Sequence, residues 1–344
     1  MGSYLLYELL NTTDATIYCL VRADDFDAGY LRLKNKLQTY GLWRDSFTHR
    51  MIPVIGDLAQ YRFSLSAKEY ENLCHKIDII YHNGARVNHT LSYNDLKPEN
   101  VLGTQEILRL ASSAKLKPLH YVSTISIFVS SKNNKPIFES EPLHSPDLLQ
   151  RGYAQSKWVA EQLVWQASRR GLPVSIYRPS RIVGHSQTGI SNSEDILCLF
   201  LKACNRLKSY PVLTGMQDNL VPVDYVSQAI VYLSKQTFCD KKAFQAFHLT
   251  NPCNTYMNEI CKWVTSLGYE WEEIDYKDWY LRVVNDSDNP FFPLLSILPQ
   301  FLPEESNIHN WDCTNVINCL SGSSIQLPSV DIDLFETYLK FLSF

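Results

Sequence analysis

Cysteine occurs nine times in the 344 residues, yet never as a Cys-x-x-C pair. That spacing is common to zinc and dithiol sites, so neither is predicted and no metal is called for. No secretory leader stands in front of the thiols, which read as reduced, mostly buried groups of a cytoplasmic protein. No apolar run reaches the ~20 residues that cross a bilayer, so no membrane partner is predicted. The start, Met1-Gly2-Ser3-Tyr4-Leu5-Leu6, lacks the later Ser or Thr of a myristoylation signal. Charge of one sign is scarce too. A net charge of −4 leaves no basic footprint for nucleic acid. There is no internal repeat. What is present is ordinary: 45% hydrophobic and 20% charged residues, which argue against disorder, in a chain long enough for one large domain or two.

One further absence bears on function. A nucleotide-binding α/β sheet opens with a strand, a glycine-rich turn and a helix, and the glycines let backbone approach a pyrophosphate at the helix N-terminus. Here Gly2, followed by Ser3 to Leu10, reads as the last glycine of such a turn with the helix after it. No strand and no other glycine precede it. The missing strand would sit between the predicted strands at 15–21 and 77–82 and would leave each without a backbone partner on one side. This reading expects an N-terminally clipped version of a longer polypeptide, whose cofactor binding and stability are open to test.

The rest of the first half alternates short apolar runs with helical patterns, as a parallel sheet with crossover helices requires. Strands are predicted at 15–21, 51–57, 77–85, 118–124 and 173–179. Helices are predicted at 2–10, 26–40, 66–75, 92–114 and through YAQSKWVAEQLV (153–164). Residues 220–234 read as a strand turning into a helix and 246–251 as one more strand, both returning to the sheet. The fold class is α/β, a Rossmann-type doubly wound parallel sheet without its first strand and glycine-rich turn. A smaller, mainly helical C-terminal substrate domain accompanies it. Residues 1–184, with the returning segments at about 220–251, form the nucleotide-binding domain; 185–219 and 252–344 form the substrate domain. The stretch 285–305 mixes Pro, Phe and Leu and reads equally as a core connection or as a lid over an acyl groove.

Chemistry centres on Tyr153 and Lys157, four apart and so on one helix face. The pattern Tyr-x-x-x-Lys also occurs at Tyr30/Lys34 and Tyr93/Lys97, and with 20 tyrosines such matches arise by chance. Only the pair at 153/157 follows a strand ending in hydroxyl residues (PLHYVSTIS, 118–126) and precedes a β-rich segment ending in Arg178-Pro179. A phenol titrates near pH ~10, and an ammonium one turn away is expected to lower that value. A tyrosine so tuned donates to a carbonyl oxygen while hydride is taken up. With Thr124, the pair resembles the proton-handling set of the short-chain dehydrogenase/reductase superfamily.

Longer stretches resemble a narrower family. GSYLLYELL, YHNGARVNH (81–89), ENVLGT (99–104), GYAQSKWVAE (152–161), IYRPSRIVGHSQTG (176–189) and DCTN…LSG (312–322) resemble, in order and spacing, the thioester reductase domains that terminate nonribosomal peptide and polyketide synthetases. Carboxylic acid reductases and α-aminoadipate reductases carry similar domains. The resemblance implies NADPH-dependent release of an acyl or peptidyl thioester, carried on the phosphopantetheine arm of a carrier protein, as an aldehyde and in some relatives an alcohol. It implies a catalytic set of Thr124, Tyr153 and Lys157, with Asn100 helping to hold the lysine. For the cofactor it implies Gly2, Arg22 on the 2′-phosphate with Arg32 assisting, and Asp57 and Leu58 at the adenine. It also implies the turn Asn83-Gly84-Ala85, Tyr153 and Lys157 at the nicotinamide ribose, and Pro179 and Ser180 beside the nicotinamide. Ser180 stands where a glycine is common, and Arg181 adds bulk. A monomer is expected. Two alternatives remain open: a sugar-nucleotide epimerase or dehydratase sharing the sheet and the Thr-Tyr-Lys set, and an inactive remnant serving as a binding scaffold.

Overall fold

The computed structural model describes residues 1–128, 136–143, 146–240, 244–301 and 310–342. The first half builds α1 (Gly2–Thr12), β1 (Ile17–Val21), α2 (Phe26–Thr39), β2 (Met51–Ile55), α3 (Ala67–Lys76) and β3 (Ile80–His82). Then follow α4 (Tyr93–Lys97), α5 (Gly103–Ser112), β4 (Leu119–Val122), α6 (Gly152–Arg169) and β5 (Val174–Pro179). Local chemistry explains the boundaries. Asp25 caps α2, and Ser66 with Glu69 and Ser92 with Asp95 form reciprocal capping boxes at α3 and α4. The helix predicted over 92–114 is continuous, but Pro98–Leu102 forms a π-helical turn between α4 and α5. Proline has no N–H for the ordinary ladder, which favours such a break.

All main-sheet pairings are parallel. β2 pairs with β1, and β3, β4, β5 and β10 (Phe244–Leu249) form a four-stranded sheet in that order. Among the described residues β1 and β3 each have a hydrogen-bonded neighbour on one flank only, as the sequence predicts. Successive residues of β5 serve opposite faces. Ile176 packs with Ile107, Leu110, Ala160 and Val164 beneath α5 and α6, whereas Tyr177 packs with Val226, Ile230 and Phe247 beneath α8 (Val223–Asp240). Burial on both faces is what near-continuous apolar strands demand.

The second half adds β6 (Arg181–Val183), α7 (Ile196–Leu207), β7 (Ser209–Pro211), β8 (Gln217–Asp218), β9 (Leu220–Pro222) and β11 (Thr255–Tyr256). It continues through α9 (Met257–Ser266), β12 (Glu272–Ile274), α10 (Tyr276–Val284), α11 (Thr314–Leu320) and α12 (Ile332–Leu342). Its core is aromatic: Phe200, Trp279 and Phe291 meet with ring centroids 5.7–6.1 Å apart. Phe291 is buried there, with Leu294 and Leu295 packed against the same cluster, so this part of 285–305 is a core connection; 302–305 lie outside the described residues. α11 packs instead on α8 and β10 through Val316 and Leu320.

Candidate active site

The site gathers at the C-terminal ends of β3, β4 and β5. Thr124, just past β4, accepts a hydrogen bond from the Ser126 N–H at 3.2 Å and so caps the short turn Ile125–Ile127. α6 packs on that turn. Asn100 lies in the π-helical turn and is buried. Its Oδ1 accepts from the Arg86 N–H at 2.7 Å, and its Nδ2 donates to the Arg86 carbonyl at 3.1 Å and to Ser156 Oγ at 2.9 Å. The Ser156 hydroxyl donates in turn to the Tyr153 carbonyl at 2.8 Å. Asn100 therefore ties the loop after β3 to the first turn of α6. Its side chain makes no bond to Lys157, and the help in holding the lysine that the resemblance implies would run through this tie to α6.

Lys157 is buried, and its Nζ donates to the Val122 carbonyl at 2.8 Å and lies 4.4 Å over the Tyr121 ring. Burial pushes its ammonium down to about 7, against the pull of Glu161 one turn later. Burial also pushes the Tyr153 phenol up to about 12. The expected lowering of Tyr153 by Lys157 is thus corrected. The ammonium faces the end of β4, and loss of solvent dominates at the phenol. A raised value keeps the phenol protonated at neutral pH, which suits a proton donor. Its ring meets His89 edge-on at 5.8 Å, and its hydroxyl has no hydrogen-bond partner among the described residues.

The cofactor candidates occupy the same edge. Gly2 abuts Asn83, whose Nδ2 would lie 3.1 Å from any Cβ at that position. Leu58 wedges against Gly84 and Gly103, and a Cβ on Gly103 would come within 2.6 Å of it. Asp57 turns inward to accept from the Ala59 N–H at 2.9 Å. Ala85 is half-buried in the loop after Gly84. Arg22 and Arg32 are exposed just past β1, where Arg32 donates to the Arg22 carbonyl at 2.6 Å. Pro179 closes β5 opposite Leu249. Ser123 and Ser180, at the ends of β4 and β5, are buried with hydroxyls lacking partners among the described residues. Orphan hydroxyls there, with exposed guanidiniums past β1, fit a dinucleotide laid along the sheet edge.

A cavity opens in the second half beside this edge. It holds about 440 Å³ including its open mouth and is lined by Arg181, Asp218, Leu213, Phe200, Trp279 and Phe291 among others. Arg181 and Asp218 pair across its wall.

Known proteins share this fold. The model of an NAD-binding family described as male sterility protein matches residues 1–230. The crystal structure of the terminal R domain from the myxalamid PKS-NRPS biosynthetic pathway is 42% identical, with a TM-score of 0.90 over 99% of this chain and 87% of that one. The chain belongs to this family of NAD(P)-dependent reductase domains. A linear gramicidin synthase polypeptide of Brevibacillus parabrevis is 37% identical to it over 350 residues, 100% of this chain but 7% of the synthase. The first four curated relatives are spanned over 7–35% of their length. A thiolation-reductase di-domain from an archaeal non-ribosomal peptide synthetase shares the reductase domain's fold at 22% identity and TM-score 0.79. UDP-galactose 4-epimerase shares only the fold, at 14% identity and TM-score 0.68.

Two features of this reductase domain escape sequence reading. His89 stands in the quoted YHNGARVNH stretch, but nothing in that spelling says that it faces Tyr153. Glu161 and Arg178 are both fully buried and paired at 2.6 Å; a charge in the apolar strand VSIYRP was the available signal.

Proposed function

We propose that this reductase domain uses NADPH to release an acyl or peptidyl thioester, delivered on the phosphopantetheine arm of a carrier protein, as an aldehyde, with the alcohol as the product of a second reduction. The observation that supports the reading is that α6, which bears Tyr153 and Lys157, packs on the turn after Thr124 and is tied to the end of β4 by Lys157. Ser123, Ser180, Pro179, Gly2, Asn83, Gly84, Ala85, Asp57 and Leu58 would hold the dinucleotide. Arg22, with Arg32, would take a 2′-phosphate, a group that guanidinium recognises better than an acid does. The chemistry supplied by the bound cofactor is hydride delivery to the thioester carbonyl carbon. Tyr153 then donates its proton to the carbonyl oxygen, and the Thr124 hydroxyl steadies the charge developing there. The proton returns to Tyr153 as the C–S bond breaks, leaving the aldehyde and a thiolate that takes its proton from solvent. Lys157 holds positive charge beneath this site. The apolar cavity past Arg181 accommodates the acyl group. The domain works as a cytoplasmic monomer.

The test is direct. The purified chain is given NADPH and an acyl-pantetheine thioester, and cofactor oxidation and free thiol are followed together. Thioester-dependent release of thiol, with NADPH preferred over NADH, is expected. Turnover of UDP- or dTDP-sugars instead would overturn the reading in favour of an epimerase or dehydratase. Micromolar binding in an NADPH fluorescence titration would overturn the inactive-scaffold alternative.

A further inference from the structure

The turn that Thr124 caps is fastened at its far end. Near Thr124 itself the hold is loose. The hydroxyl accepts from the Ser126 N–H and donates to Ser126 Oγ, both at 3.2 Å, and the second is long for a bond between hydroxyls. The Phe128 N–H closes the turn on the Ile125 carbonyl at 3.1 Å. Ile127 and Phe128 are buried together with Ile137, and Trp158 and Trp311 pack against the three. The Phe128 ring meets three elements at once. The Arg178 guanidinium of β5 lies 4.9 Å over it, His248 of β10 meets it edge-on at 5.6 Å, and Trp311 meets it edge-on at 5.9 Å. Trp311 and His248 are in turn perpendicular to each other at 5.5 Å.

Two of these contacts come from strands of the main sheet, and the third comes from the far end of the chain. Trp311 is pinned there by backbone bonds on both sides. The Ile137 N–H donates to the Asn310 carbonyl at 2.8 Å, and the Asp312 N–H donates to the Ile137 carbonyl at 3.0 Å, a parallel bridge centred on Trp311. His248 Nδ1 meets the Asp312 carbonyl at 3.0 Å. The Glu139 carboxyl closes the clasp by accepting from the Asn315 and His248 N–H groups at 2.6 and 2.9 Å. Any apolar side chain would fill space beside Phe128. An indole held at both flanks and edge-on to two rings also fixes how Phe128 is turned, because aromatic contacts carry a preferred geometry. Such precision matters for a group that must meet charge as it develops, where a misplacement of about 1 Å costs roughly 10²-fold in rate.

We propose that Trp311 is a positioning residue, which acts through Phe128 to fix the turn after β4 and so to direct the Thr124 hydroxyl at the reacting carbonyl oxygen. This deepens, and rests on, the thioester reading above.

A double-mutant comparison decides whether Trp311 acts through Thr124. Trp311→Ala, Thr124→Ala and the double variant are assayed in the full chain with NADPH and saturating butyryl-pantetheine. Trp311→Ala is expected to lower kcat about tenfold and to leave the KM for NADPH within about twofold, and Trp311→Phe, which keeps a ring, recovers most of the rate. In the Thr124→Ala background Trp311→Ala should cost nothing further, because the group it directs is gone. A general loss of packing would multiply the two losses instead. Multiplied losses, or an unchanged kcat in Trp311→Ala, overturn the proposal. Phe128→Leu keeps the bulk without the ring and serves as the second probe, judged by the same two outcomes, should Trp311→Ala fail to fold. Amide exchange reads the turn without any turnover. Trp311→Ala is expected to speed exchange of the Phe128 N–H about tenfold while the β3 amides keep their parent rates; an unchanged Phe128 rate also overturns the proposal. If the unaltered chain reduces no thioester but exchange responds, only the thioester reading falls. If it reduces the thioester and neither kcat nor exchange responds in the variant, only the role of Trp311 falls.

Discussion

Two clusters of buried polar groups lie close together along β4, β5 and α6, and they are built on opposite principles. In the first, every strong group is matched. Arg178 donates to Glu161 at 2.6 Å, to the Glu139 carbonyl at 3.0 Å and to His248 at 3.1 Å. Glu139 accepts from the His248 and Asn315 N–H groups at 2.9 and 2.6 Å. In the second, around Tyr153, polar atoms of His89, Ser123 and Ser180 are without partners among the described residues. Tyr153 and Glu161 are only eight positions apart on α6. A satisfied network fixes one structure, while an unsatisfied one is kept where something else is to be bound. The comparison marks the first cluster as the brace and the second as the place of chemistry.

Substitutions can break this division. Tyr153→Phe removes the proposed proton donor and none of the protein's own hydrogen bonds. It is expected to lower kcat by about 10²–10⁴-fold, with the denaturant midpoint nearly unchanged. A rate within twofold of the parent would remove Tyr153 from the mechanism and erase the distinction. Arg178→Met acts in the reverse sense. It strands the Glu161 carboxylate in a fully buried place, and a loss of about 3–5 kcal/mol in urea unfolding is expected. Adding Glu161→Leu should recover most of that loss, because the unpaired charge then goes too. If the double variant is as unstable as the single one, the pair is not what the brace depends on.

How much of this was readable beforehand varies with the kind of interaction. The strands and helices around Val21, Ile80, Tyr121 and Ile176 announce themselves by local apolar pattern, and the parallel topology follows from their alternation. The π-helical turn does not, because the choice between two hydrogen-bond ladders around Pro98 is settled by Asn100 reaching Arg86 and Ser156 at once. The direction of Lys157 was equally hidden. A helix face places its ammonium near Tyr153 and near the Val122 carbonyl alike, and only the packed structure selects the carbonyl. The partnership of Glu161 with Arg178, and of Glu139 with Asn315 across the fold, spans separations that no local pattern encodes.

The smallest effect is the one that separates the clusters by pH. Burial raises Glu139 from 4.5 to about 7, against the backbone donors of His248 and Asn315. A raised carboxyl binds its proton more tightly when folded. Its contribution to stability is therefore complete below about pH 4.5 and is lost as pH climbs through 7. Lys157 has the opposite displacement, from 10.5 down to about 7, so its burial costs most below 7 and stability rises from there toward 10.5. The brace and the site thus act in windows that meet near neutrality. The buried His82, His120 and His248, all lowered to about 3, impose a rising slope below pH 6.5 that masks Glu139 in the unaltered chain. Subtracting the Glu139→Gln curve isolates it. The difference in unfolding free energy is expected to fall by about 2–3 kcal/mol between pH 4.5 and 7 and to stay level above. A flat difference would show that Glu139 is ionised at neutral pH in the folded chain, and that the brace is as highly charged as its residue types suggest.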